Sequence, residues 1–370
     1  MNRDCVQVLI LSNSLNIGGA QRFAGYLLKG LDRRRIQPRL VLLQNDIGYD
    51  LPKDVPVQVL GYGGAGDLPK AIWKLHRLIR QTGPHVVLGV GTAVNVVIGL
   101  TVLFLRQRPA WIARVDTNPG RKDIRFRTYL LRWLYPLANV IVANSAGLQR
   151  AMRVHYPKQA HKVTRIFNPV DFEALDTLVQ ERPHWIRKDG TPSLVTVGRA
   201  FGVKRWDLLL EAVARVLKTT QVQLICCGGG PLLSGLKDKA RRLNIQQQVH
   251  FPGHCPNPFP ILAQADLFVL SSEAEGLPYA LIEALGLGLG VISTRCDYGP
   301  DEIIEDGKTG LLVEVGNVDQ MAQAIRTLAG NKPLRTRMGL KARDRVRARF
   351  DFRRRCRQWE DLIVRLRSAR

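Results

Sequence analysis

Short apolar runs alternate with helical patterns along this chain, and the alternation happens twice. In the first half VQVLIL, RLVLLQ, VPVQVL, HVVLGV, AWIARVD and NVIVAN stand between helical stretches. A polar, proline-containing segment follows, ERPHWIRKDGTP (residues 181–192), and reads as a linker. The alternation then resumes with SLVTVG, VQLICCG, VHFPG, ADLFVL and GVISTR. Apolar runs that are continuous, not alternating, belong to strands buried on both faces, which means parallel sheets with helices on either side. A chain of 370 residues exceeds one ordinary domain. The expected class is therefore α/β, with two doubly wound, Rossmann-like domains of similar size. Residues 1–177 form the first and 178–350 the second, and a terminal helix over 351–370 crosses back to the first. Ligands of such sheets bind beyond the carboxyl ends of the strands, so both sheets are expected to face a central cleft.

The six cysteines, Cys5, Cys226, Cys227, Cys255, Cys296 and Cys356, form no C-x-x-C pair and no His-containing metal spacing. They read as free thiols in a reducing compartment. The amino-terminal apolar run is too short for a signal peptide. The most membrane-like stretch, residues 85–105, is split by Gly89 and Gly91 and reads as a buried strand followed by a helix.

Three loops carry glycines or cations where strands give way to helices. NIGGAQR brings Gly18 and Gly19 to the start of the first helix, whose free N–H groups suit a phosphate or carboxylate; a plain helix entry explains it equally. It is not G-x-G-x-x-G, which disfavours a nicotinamide dinucleotide. In VGRAFGVKRWDLLLEA, Arg199 lies at a strand tip and Lys204 near the next helix. Such a pair suits a diphosphate, the arginine giving forked hydrogen bonds and the lysine a mobile charge; two unrelated surface cations are the plain alternative. CCGGGP places Gly229 close to a flat ligand, or marks a turn.

The segment SSEAEGLPYALIEAL raises a sharper question, because Glu275 and Glu283 stand eight positions apart. Gly276 and Pro278 put Glu275 in a loop at the strand tip, and Glu283 falls on an early turn of the following helix. Ionised carboxylates only accept hydrogen bonds, so one of them fits a ribose diol and the other a sugar hydroxyl. The N–H groups of Leu277 and Tyr279 face the same region.

Taken in order, "VGR" with a following lysine, "GGGP", "FPG", "ADLFVLSSEAEGLPYALIEA" and "YGPDEIIEDGKTGLLV" resemble the retaining glycosyltransferases of the GT-B fold, the glycosyl transferases group 1 family. The resemblance is strongest from Val195 to Val313 and looser in the first half, through "GGAQR" and "NPVD". It implies that Glu283 holds the donor ribose and that Glu275, with the amides of Leu277 and Tyr279, orients the transferred sugar. Arg199 and Lys204 neutralise the diphosphate leaving group, and Gly229 and Gly253 complete the donor loops. No metal and no cofactor are expected, since fixed cations and helix ends stabilise the leaving group. In the first half Gly18 and Gly19 are expected at a phosphate or acceptor loop. Relatives carry a histidine or aspartate beside the sugar where this chain has ARVDTNPG, so Arg114 and Asn118 are the candidates there, with Asp116 a further one. The segment around Gly299, Pro300 and Glu302 is common in bacterial enzymes building surface polysaccharides. It implies a lipid-linked or glycan acceptor, reached from the cytoplasmic face of the cell membrane, and the family as a whole implies a UDP-sugar donor.

The net charge of +24 bears on partners. Residues 331–370 alone hold fifteen Lys/Arg against four Asp/Glu. A second basic stretch, residues 121–136, mixes Arg125 and Arg132 with Tyr129, Leu130, Trp133 and Leu134, as helices at anionic membrane surfaces do; a solvated helix packing its apolar side inward is the alternative. No aromatic-interleaved RNA motif or zinc-finger pattern accompanies the charge, so nucleic acid is not expected as a partner. Among enzymes the rivals are a GT-B sugar-nucleotide epimerase, which would need acid and base residues facing the sugar, and a phosphorylase.

Overall fold

The computed structural model describes residues 5–16, 18–48, 50–121, 124–180 and 189–368. Most of the expected linker, residues 181–188, lies outside the described residues. The chain divides into two compact units, Met1–Pro169 with Phe352–Arg370, and Val170–Asp351.

The first unit is built on a parallel sheet of β1 (Val6–Ser12), β2 (Ile36–Leu42), β3 (Val57–Val59), β4 (Val86–Val90), β5 (Ala110–Val115), β6 (Val140–Ala143) and β7 (Val163–Arg165), in the order β3-β2-β1-β4-β5-β6-β7. Its helices are α1 (Gly19–Gly30), α2 (Leu68–Thr82), α3 (Thr92–Leu103), α4 (Arg125–Leu134) and α5 (Ala146–His155). The membrane-like stretch becomes β4 and α3, as its glycines indicate. α3 is apolar around most of its circumference because α2 and α4 pack against it while it also covers the sheet. Gly99 allows this approach: a Cβ there would fall 2.8 Å from the Leu134 side chain of α4. No helix among the described residues is long and apolar enough to cross a membrane. Ser145 caps α5, its hydroxyl accepting from the Leu148 N–H at 3.2 Å.

The second unit carries β8 (Ser193–Val197), β9 (Gln223–Cys227), β10 (Val249–Gly253), β11 (Leu267–Leu270), β12 (Gly290–Thr294) and β13 (Leu311–Val313), all parallel, in the order β10-β9-β8-β11-β12-β13. Its helices are α6 (Phe172–Leu178), α7 (Trp206–Val216), α8 (Leu233–Arg242), α9 (Phe259–Gln264), α10 (Tyr279–Gly286), α11 (Pro300–Ile303), α12 (Val318–Ala329) and α13 (Lys332–Arg349). The boundary falls after Pro169, earlier than the 177/178 step read from sequence. α6 docks in this unit, with Phe172 against Gly286 of α10 and Asp176 paired with Arg347 at 2.6 Å.

The last helix, α14 (Phe352–Ser368), groups with the first unit. Cys356 fills the space left by Gly30, Trp359 lies 5.1 Å from the Phe23 ring, and buried Glu360 accepts from the Asp32 N–H at 2.7 Å.

Both sheets reverse their strand order beside the first strand, between β1 and β4 and between β8 and β11. In open parallel sheets this reversal opens a crevice at the carboxyl ends of the strands.

Candidate active site

In the second unit the reversal lies where the chain put its cations and its first carboxylate. β8 ends at Val197, and the chain runs through Gly198 and Arg199 into a 3-10 turn over Gly202–Lys204. β11 ends at Leu270 and leads into the loop carrying Glu275. Across the gap, Lys204 Nζ donates to Glu275 Oε1 at 2.5 Å, and the Ser272 hydroxyl donates to the same oxygen at 2.6 Å. The pair is mostly shielded, with side-chain exposures of 23% for Lys204 and 12% for Glu275.

Backbone contacts hold this loop in place. The Ser271 hydroxyl donates to the Lys204 carbonyl at 2.8 Å, and the Glu273 N–H donates to the Val203 carbonyl at 2.8 Å. The Glu275 N–H meets the Asp297 carbonyl at 3.3 Å. Gly299, at φ 102°, presses on the loop so closely that a Cβ would lie 2.9 Å from Pro278 Cδ. Ser272 and Gly299 thus position Glu275. Ser272 escaped sequence reading because a loop serine carries no signal of its own.

Arg199 is exposed and stacks over the Phe201 ring, 4.9 Å from its centroid. It makes no ion pair among the described residues, so its donors are open to an anion. The Lys204 stem passes over Gly198, where a Cβ would sit 3.3 Å from Lys204 Cε.

The glycine run after β9 has two separate tasks. A Cβ on Gly228 would lie 1.7 Å from the Gly198 carbonyl oxygen, and one on Gly230 within 2.9 Å of the Ala200 backbone. These two glycines dock the tip of β9 on the tip of β8, and the Ala200 N–H donates to the Gly229 carbonyl at 2.8 Å. Gly229 itself has only ordinary contact, with His254 N at 3.9 Å. Gly253, the last residue of β10, has open space around it and is glycine for its left-handed φ of 79°.

Glu283 lies on the second turn of α10 and is fully buried, as are Leu281, Ile282, Ala284 and Leu285 beside it. Leu277 and Tyr279 are each 5% exposed. A carboxylate in an otherwise apolar helix costs stability, which an alanine or leucine would avoid.

The candidates of the first unit follow the carboxyl ends of β1 and β5. Gly18 precedes α1 without a capping side chain, and Gly19 opens the helix, exposed. Arg114 was expected beside the sugar, but only 1% of it is exposed. Its Nη1 donates to Asp116 at 2.9 Å, its Nη2 donates to Asn168 at 2.9 Å, and its guanidinium lies 4.0 Å above the Phe23 ring of α1. Its guanidinium is thus buried and braces Asp116 and Asn168. Asp116, 16% exposed, is the polar group it positions, above the tip of β4 where a Gly91 Cβ would lie 4.0 Å from Oδ1. Asn118 folds back, its Oδ1 accepting from the Gly120 N–H at 2.8 Å. Asn168 is a brace that sequence reading missed, although it opens the NPVD motif.

Comparison with known proteins follows the same division. Residues 180–345 match the family described as Glycosyl transferases group 1, and residues 17–174 match Glycosyltransferase Family 4. Over 352 residues the chain is 27% identical to the N-acetylgalactosamine-N,N'-diacetylbacillosaminyl-diphospho-undecaprenol 4-alpha-N-acetylgalactosaminyltransferase of Campylobacter jejuni, covering 91% of this chain and 94% of that one. The crystal structure of Anabaena HepE in complex with UDP-glucose superposes with a TM-score of 0.81 at 19% identity, over 98% of this chain and 100% of that chain. Sucrose-phosphate synthase from Thermosynechococcus elongatus gives 0.84 at 17% identity, over 99% and 100%. At these identities the solved structures speak for the fold, two Rossmann-like units of the GT-B type.

Proposed function

Because this chain belongs to the glycosyltransferases, as a member of the glycosyl transferases group 1 family, we propose that it is a retaining, metal-independent enzyme using a UDP-sugar. The sugar, a hexose or N-acetylhexosamine, moves to a lipid-linked or polysaccharide acceptor at the cytoplasmic membrane face. The observation carrying this reading is the Lys204–Glu275 pair, held by Ser272 at the β8/β11 reversal with Arg199 beside it.

In this reading Glu283 accepts the two ribose hydroxyls, and Glu275, with the amides of Leu277 and Tyr279, orients the sugar. An ammonium group has three donors, so Lys204 can keep one on Glu275 while the others take diphosphate oxygens. Arg199 supplies the forked partner. Charge grows on the departing phosphate as the bond from its oxygen to the anomeric carbon breaks, and both cations are already in place for it. The acceptor hydroxyl attacks from the face the phosphate leaves and gives its proton to that phosphate. Configuration is thereby kept, with no protein nucleophile. The lipid-linked acceptor is supported by the printed activity of the Campylobacter jejuni relative, and UDP by the ligand of HepE.

The test is incubation of the purified chain with a panel of UDP-sugars and undecaprenyl-diphosphate-linked acceptors, with and without EDTA. Transfer that EDTA leaves unchanged, with an α-linked product from an α-linked donor, is expected. Isomerised donor without transfer would point to the epimerase instead.

A further inference from the structure

We propose that the outer face of α4, together with the turn that follows α3, is a docking surface for an anionic lipid bilayer, with α4 lying in the plane of the headgroups. The inference names the surface by which the membrane reading above would operate, and rests on that reading.

α4 has two apolar sides. One is in use: Leu131 and Leu134 are buried, and Leu134 fits against Gly99 of α3. The other is in water. Phe126 is 80% exposed, Tyr129 62% and Trp133 69%. At 100° per residue these three aromatics fall within an arc of about 60°. Single exposed apolar residues are ordinary, but an aromatic stripe along a ten-residue helix is not. Phe104, 70% exposed just past the end of α3, adds to the apolar surface of this helix layer.

Charge decides what the stripe meets. Arg125, Arg127 and Arg132 of α4 are exposed, as are Arg106 and Arg108 after α3. Among the described residues from 103 to 137 the one acidic side chain is Asp116, which pairs with Arg114. A protein partner would have to match several arginines one by one. An anionic leaflet meets them all with mobile headgroups, and its boundary with the acyl chains suits Trp, Tyr and Phe. A helix following a parallel strand begins at that strand's carboxyl end. α4 therefore starts at the sheet edge that carries Asp116, and docking would place that edge near a lipid-borne acceptor.

The experiment is flotation of the full chain with vesicles of phosphatidylcholine alone, or with about one-third phosphatidylglycerol. The wild type should float with the anionic vesicles only, and less at high salt. Combined Phe126→Ser, Tyr129→Ser and Trp133→Ser should lower vesicle affinity at least about tenfold. Trp133→Ser alone, the milder change, should lower it measurably with an unchanged melting temperature. Flotation of the triple variant like wild type, or wild-type binding indifferent to lipid charge, overturns the proposal. So does self-association through this face without vesicle binding. UDP titration of the same samples separates the two readings. A chain that binds UDP but does not float loses only this proposal, whereas one that floats but binds no nucleotide loses the donor-site reading.

Discussion

Lys204 Nζ and Glu275 Oε1 stand 2.5 Å apart, one from the turn after β8 and the other from the loop after β11. Neither residue is held by its own strand alone. Ser272 shares the same carboxylate oxygen, and Ser271 holds the Lys204 carbonyl. Lys204→Ala should therefore lower turnover by about two to three orders of magnitude if the ammonium stabilises the leaving group. The stability loss should be smaller, about 1–3 kcal/mol, because Ser272 still donates to the carboxylate left behind. Steady-state kinetics together with thermal melts check both halves.

Two glycines on neighbouring loops should respond differently to the same methyl group. In Gly198→Ala the new Cβ meets Lys204 Cε at 3.3 Å, the flexible stem of the ammonium group. The fold should survive, with activity reduced about tenfold or more if Lys204 takes the diphosphate, since displacing such a group is costly. In Gly228→Ala the Cβ meets the Gly198 carbonyl at 1.7 Å, at a backbone φ of 148°. Here the loop must move, with a loss above about 2 kcal/mol. Chemical denaturation and a transfer assay on both variants distinguish positioning from packing.

Arg114 is expected to behave as a brace. Arg114→Met removes a buried cation from Asp116 and Asn168 at once and should destabilise by about 3–5 kcal/mol. Asp116→Asn keeps the shape and an oxygen to accept from Arg114, as well as the Asn168 contact, so it should cost less stability than Arg114→Met although the buried cation loses its charge partner. Its effect should fall on transfer to the acceptor, with UDP affinity unchanged. Equal stability losses in the two variants would contradict this division.

The thiols carry a pH signature. A hydrogen bond from Cys227 lowers the Cys255 thiol, and that bond together with burial raises Cys227. Burial raises Cys226 and pushes Cys296 up to about 12. Cys255 should thus be the first of these four to react with iodoacetamide at neutral pH, read by peptide mass mapping. The raised groups hold their protons more tightly folded than unfolded. Their contribution is complete below the ordinary thiol value of 9.0 and is lost as pH rises above it toward the folded values. The melting temperature should be flat near neutrality and fall above about pH 9.

Much of this architecture is legible in the sequence because buried parallel strands are continuous apolar runs. β13 escaped notice since three residues, Leu311–Val313, make no run. The family motifs named Arg199, Lys204, Glu275 and Glu283, and the structure brings the first three to one sheet reversal. Side-chain partners from remote segments were not legible. Arg114 looks like a ligand contact in ARVDTNPG, and only the folded chain shows Phe23 beneath it and Asn168 beside it. The run CCGGGP hides a similar division. Spacing cannot tell that Gly228 and Gly230 serve packing between strand tips while Gly229 keeps room. In the basic stretch Leu134 proved to be core, and Phe126 is an exposed member of the stripe that composition did not single out.

Calorimetric titration of UDP, GDP and ADP into the full chain, repeated with Glu283→Gln, tests the central claim most directly. The account predicts that UDP binds the wild type and that the folded variant binds it at least about a hundredfold more weakly, since the amide replaces one charged acceptor oxygen by a donor and leaves one ribose hydroxyl without its partner. UDP binding unchanged in the variant, or no nucleotide binding by the folded wild type, would contradict the assignment of Glu283 to the donor.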